Sequence, residues 1–100
     1  MDRRKSEHAG ALASASLAGA ALAWIAETDD LLRIFLSSTG LDPDDLRRRS
    51  DDPELLAAVL DFVMMDDHWV MGCAAAAGVA PERLVAARAQ LPGGMDHHWT

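Results

Sequence analysis

Residues 36–46 read Leu36-Ser37-Ser38-Thr39-Gly40-Leu41-Asp42-Pro43-Asp44-Asp45-Leu46, and each of the key types has a place in helix grammar. Gly40 stops a helix, because the residue after a helix C-terminus adopts a left-handed conformation that glycine enters without a Cβ clash. Asp42 and Pro43 start the next helix. The aspartate accepts from an otherwise unpaired backbone N–H, and proline at the first helical position has no N–H to leave unpaired. Leu36 and Leu46 flank the corner as apolar anchors. The same device recurs 38 positions on, as Ala74-x3-Gly78-Val79-Ala80-Pro81-x2-Leu84.

Extending that offset aligns Leu17–Ser50 with Leu55–Arg88 without a gap. Identities fall at Leu17/Leu55, Ala20/Ala58, Leu22/Leu60, Asp29/Asp67, Gly40/Gly78, Pro43/Pro81 and Leu46/Leu84, and Trp24/Phe62 is like for like. The pattern predicts two pseudo-equivalent helical repeats, residues 17–50 and 55–88, each a longer helix, a capped shorter one, a glycine turn and a proline-started helix. Two copies are too few for an open solenoid, so they should close face to face into one bundle.

Around the corners, periodicity places a first helix from about Ser6 to Glu27, with a stripe of Leu17, Ala20, Ala21 and Trp24 widened by Leu22 and Ile25. Thr28 or Asp29 caps a second helix through Thr39, carrying Leu31, Leu32, Phe35 and Leu36. A short helix from Pro43 ends in Arg47-Arg48-Arg49, cations at the negative end of the helix dipole. Asp52-Pro53 starts a helix with the stripe Leu55, Leu56, Val59, Leu60, Phe62 and Val63. Asp66 and Asp67 open another, closed by Gly78, and Pro81 begins the last, with Leu84, Val85 and Leu91. Nothing alternates with the two-residue period of a strand. The expected class is all-α: a single small bundle of five or six helices over residues 1–94, with 95–100 a mobile tail.

Length and composition agree with one domain and little more. The 100 residues are 50% hydrophobic and 25% charged, enough for one core without disulfides or metals. The single cysteine, Cys73, excludes an internal disulfide and fits a reducing, cytoplasmic setting. The net charge is -7, with the acids concentrated between Glu27 and Asp67, so nucleic acid and anionic membranes are unfavourable partners and basic ones favourable. Arg3, Arg4 and Lys5 before the uncharged stretch Ala9–Ala26 imitate a secretion signal, but Glu7 and His8 interrupt the junction. The stretch is too rich in Ala, Ser and Gly for a membrane span, so we expect an Ala-rich packing helix.

Four chemistries compete with these structural roles. The Leu36–Leu46 corner has the turn glycine and apolar anchors of a DNA-binding helix-turn-helix, yet its second helix opens with Asp42, Asp44 and Asp45, where phosphates would lie. Metal ligation by His68, Cys73, His97 and His98 matches no zinc spacing. Cys73 on an Ala-rich face reads as an inert core thiol, and the paired aspartates precede helices, where capping explains them. No phosphate loop or nucleophile elbow is present, so neither enzymatic activity nor a cofactor is expected. Met64, Met65, Trp69 and Met71 are the densest group of soft and aromatic side chains, a candidate adaptable binding surface.

Phe35–Arg47, followed by Asp52-Pro53-Glu54-Leu55-Leu56-Ala57-Ala58-Val59-Leu60-Asp61-Phe62, resembles a family of short alphaproteobacterial proteins catalogued as a domain of unknown function. Pro81-Glu82, Ala87-Arg88 and Leu91-Pro92-Gly93-Gly94 are similar to its C-terminal pattern, so the likeness spans about residues 17–94. The resemblance implies a small cytoplasmic helical protein of a GC-rich bacterium and, through gene neighbourhoods near response regulators, a signalling partner. It brings no activity, cofactor or site. The expected function is a non-catalytic protein-interaction module, with helix-turn-helix DNA binding as the alternative. Trp24 and Phe62, at equivalent repeat positions, should both be buried where the long helices cross. Trp69, whose counterpart is Leu31, should face outward with Met65 and Met71 to seat a partner helix or a second copy of the chain.

Overall fold

The computed structural model describes residues 3–92, with side chains from 13 to 92. Six helices follow in order: α1 Arg3–Glu27, α2 Leu31–Thr39, α3 Pro43–Arg48, α4 Pro53–Val63, α5 Asp67–Ala77 and α6 Pro81–Ala89, with no strand among the described residues. The all-α expectation holds. The Met95–Thr100 tail, with His97 and His98, lies outside the described residues.

The local signals act as their chemistry predicts. Gly40 (φ 77°) and Gly78 (φ 72°) both take the left-handed conformation directly after α2 and α5. Asp42 accepts from the Asp45 N–H at 2.9 Å while Asp45 accepts from the Asp42 N–H at 3.1 Å, a reciprocal capping box in front of α3. Asp52 caps α4 through the Glu54 N–H, and Asp66 caps α5 through the His68 N–H. The start of α2 differs from expectation. Neither Thr28 nor Asp29 is its cap: Asp30 holds that place at φ 61° without a side-chain capping bond. The Thr28 hydroxyl instead donates to the Trp24 carbonyl at 2.6 Å, closing α1, and the chain turns through Asp30 in the left-handed region that aspartate tolerates better than most residues.

α1 packs on α4, α5 and α6, and on α2 near its own C-terminal end. Its innermost stripe is Ser14, Ala18, Ala21 and Ile25, spaced four, three and four residues apart, all buried. The stripe therefore lies one position away from the expected Leu17–Trp24 line: Ala20 is exposed, and Leu17, Leu22 and Trp24 are half-buried. Small side chains facing inward let neighbouring helices approach, and the larger ones cover the flanks of the contact. From α4, Leu55, Leu56, Val59, Leu60, Phe62 and Val63 fill the centre as expected. α2 contributes Leu31 and Phe35, α5 contributes Cys73 and Ala74, and α6 contributes Leu84 and Ala87, with Leu91 just beyond it. Val85, expected among the apolar residues of α6, is 58% exposed.

The two segments related by the 38-residue offset share helix order and turns but not packing partners. α6 packs on α1, α4 and α5, whereas its counterpart α3 buries no residue and makes no extensive contact with another helix. α4, α5 and α6 thus form a tight unit across α1, while α2 and α3 lie along its edge. One long-range polar contact locks that unit. Arg88, almost wholly buried, donates from Nε to one Asp61 oxygen at 2.6 Å and from its terminal nitrogens to the other at 3.1 Å and to the Pro92 carbonyl at 2.9 Å. The fork thereby joins α4 to the segment just beyond α6 and gives the Pro92 carbonyl a charged donor. Among the described residues, no single helix is long and apolar enough to cross a membrane.

Candidate functional site

The α4–α5 turn and α5 carry Met65 and Met71, the two most exposed large hydrophobic side chains among the described residues. Val63 ends α4, Met64 and Met65 form the turn, and Asp66 caps α5. Met65 projects from this turn at 72% exposure, and Met71, inside α5, is 60% exposed. On α5 itself, Met71 lies on an exposed stripe with Asp67 and Ala75, four residues to either side, while Cys73 and Ala74 face the core.

Trp69 does not join that stripe. Residues two apart on a helix point to opposite sides, so Trp69 and Met71 flank α5 rather than share a face. The indole is half-buried and stacked on Phe62 at 4.7 Å between ring centres and 23° between planes, and Phe62 meets Phe35 edge-on at 5.2 Å. This aromatic row ties α2, α4 and α5 together. Trp69 is the outer wall of the core, and the expectation of a free outward anchor is corrected accordingly. The exposed apolar surface is carried by Met65 and Met71.

Trp24 is also placed differently from its expected twin. Phe62 is buried, but Trp24 is half-buried, its ring lying over Gly72 of α5. A Cβ built on Gly72 would come within 2.9 Å of the Trp24 Cζ2 atom, so the absence of a side chain there is what admits the indole. The residue at the equivalent repeat position is Ile34, which is 44% exposed. Pseudo-equivalence in sequence therefore does not extend to the surroundings of the two aromatics.

Other candidate chemistries find these geometries. His68 is fully exposed and Cys73 fully buried, so they do not share a ligand face, and among the described residues no three metal-ligating side chains converge. Burial pushes the Cys73 thiol above its ordinary pKa, which keeps it protonated and poorly nucleophilic. At the Leu36–Leu46 corner the cations are engaged locally: Arg47 pairs with Asp44, Arg48 with Asp45 and Arg49 with Asp52. Their charge is compensated before any phosphate arrives. Between α1 and α6 a shallow cleft of about 180 Å³ is lined mostly by Ala13, Leu17, Ala86 and Ala87, with Arg83 and Gln90 also on its wall.

Sequence reasoning missed Arg88 as a structural residue and Gly72 as the seat of Trp24. An arginine among alanines in an exposed-looking helix carries no sign of burial by itself. The available clue was Asp61, a lone carboxylate inside the apolar run Leu60-Asp61-Phe62-Val63, which needs a partner on whichever helix comes near.

Compared with known families, residues 11–94 match a family model described as "Protein of unknown function (DUF3572)". The match takes in α1 from residue 11 onward and all five later helices. Neither a curated protein nor a solved structure matches the chain.

Proposed function

The chain belongs to the DUF3572 family of proteins of unknown function, and from that premise we propose that it is a non-catalytic protein-interaction module working through the α4–α5 junction. The observation that carries the reading is the exposure of Met65 and Met71 beside a core whose other large apolar residues are mostly covered. Methionine side chains are flexible and polarizable, so they adapt to an incoming surface where a rigid side chain would demand one shape. The aromatic row beneath them gives that surface a firm base. A cytoplasmic setting fits the lone Cys73 thiol, and a signalling protein is a partner class consistent with an acidic adaptor of this size.

Affinity capture with the full chain, compared against the Met65→Ser/Met71→Ser double variant, tests the reading. Proteins retained by the wild type and lost by the folded variant support it. Equal retention by both overturns the assigned surface. The alternative, DNA binding through the Leu36–Leu46 corner, has the glycine turn in its favour but only a six-residue second helix, with its arginines paired to aspartates. A mobility shift with genomic fragments at two salt concentrations separates the two: tight, salt-sensitive binding would replace the interaction reading.

A further inference from the structure

We infer that the occupant of the Met65–Met71 surface is a cationic amphipathic helix, its apolar side chains on the two methionines and its Lys or Arg side chains against Asp66 and Asp67. The inference rests on the interaction reading above and adds the chemistry of the partner. Charge is the argument. From Ser50 to Glu82 the chain contains no lysine or arginine. Asp61, the other carboxylate close in sequence to the turn, is already compensated by Arg88. Asp66 and Asp67 have no lysine or arginine partner among the described residues: Asp67 is exposed, and the Asp66 side chain keeps 43% of its accessibility, with the His68 imidazole at 3.6 Å and the His68 N–H as its neighbours. Two adjacent carboxylates without a lysine or arginine partner, next to two exposed methionines, suit a ligand that is apolar on one face and basic at its margin.

The same charges argue against a second copy of the chain. In a two-fold interface centred on this surface, Asp66 and Asp67 of one protomer would approach those of its partner, and like charges brought together are destabilising. Anionic lipid and nucleic acid are disfavoured for the same reason.

The experiment measures binding of two labelled synthetic helices to the full chain by fluorescence anisotropy: an amphipathic Leu/Lys peptide and its Leu/Glu counterpart. The expected result is binding of the Leu/Lys peptide at least about tenfold tighter than the Leu/Glu peptide, weakening as salt rises. Asp66→Asn/Asp67→Asn should weaken it roughly fivefold, and asparagine keeps the cap on α5. Asp51→Asn/Glu54→Gln removes the same formal charge at a distance and should change binding less than about twofold. Equal affinity for the two peptides, no effect of Asp66→Asn/Asp67→Asn, or an equal effect of the two charge variants would overturn the inference. If Met65→Ser/Met71→Ser still abolishes binding in those cases, the surface stands and only the partner chemistry is wrong. If that variant binds as well as the wild type, the surface itself falls, and with it the proposed function.

Discussion

At Gly40 and Gly78 the backbone takes nearly the same left-handed step, yet the helices that follow are held by different forces. α3 has a complete reciprocal cap and aspartate–arginine pairs within and just beyond it, and it buries nothing. α6 has Ala80 at its cap position with no capping side chain, and it buries Leu84, Ala87 and Arg88. Short-range polar contacts can therefore specify a helix without docking it, while docking can dispense with the cap. Exposed ion pairs contribute little each, about 0–1 kcal/mol, and a good cap about 1 kcal/mol; a fully buried leucine exceeds both. The terms differ enough to be separated by substitution.

The largest effect is expected at Leu84. Leu84→Ala should cost about 2–5 kcal/mol in urea denaturation, and Leu46→Ala, at the equivalent half-buried position in α3, less than half of that. Equal losses would break the distinction between the two corners. Next comes Arg88→Met, which removes the charged hydrogen bonds to Asp61 and the Pro92 carbonyl; about 1.5–3 kcal/mol should be lost, with faster amide exchange in the last turn of α6. A loss confined to α6 exchange, with an unchanged denaturation midpoint, would mean that this helix docks without its polar lock.

Asp42→Ala should cost about 1 kcal/mol or less, and mostly locally. Because α3 buries no side chain, the change should appear as faster amide exchange at Leu46 and Arg47 rather than as a shift of the whole unfolding transition. A global shift would show that α3 is coupled to the core after all. The smallest expected effect concerns pH. The Glu54 N–H and the Arg49 guanidinium hold the Asp52 carboxyl below its ordinary pKa of 3.8. A depressed folded value favours the native state above the unfolded pKa, and that contribution is lost as pH falls through the folded value. Asp52→Asn should therefore slightly flatten the decline of stability below about pH 4, as read by denaturation at a series of acidic pH values. An unaltered slope would mean that Arg49 and the helix start do not discriminate charge there.

The same division explains what could be read from residues alone. Gly40, Gly78, Pro43, Pro81, Asp42 and Asp52 were legible because their effects are complete within four residues of chain. Side-chain depth is not local. The inner stripe of α1 was misplaced by one position because the neighbours select small residues there, and size preference cannot be seen from a helix considered alone. Trp24 and Phe62 occupy corresponding places in sequence, but what differs is Gly72 opposite one of them and Phe35 with Trp69 around the other. Within the candidate surface, Met65 and Met71 could be anticipated as exposed soft side chains, whereas the stacking of Trp69 on Phe62 depends on where α4 ends and how sharply the chain turns into α5. The Asp30 conformation was equally invisible: three polar residues in a row offer several caps, and the close of α1 by Thr28 decides among them.

The position of α1 also bears on the order in which this protein can become itself during translation. α1 is synthesised before the other five helices, yet most of its packing partners, α4, α5 and α6, come last. At about 5–20 residues per second, the roughly 60 residues separating the end of α1 from the end of α6 take about 3–12 s to synthesise. Until the last of these helices is made, the native cover over Ala18, Ala21 and Ile25 is incomplete. Alanine suits this wait better than leucine would, since a nascent helix with a small-residue stripe offers passing hydrophobic chains little to hold. A face chosen for close packing in the finished bundle is thus also one that travels safely before the bundle exists.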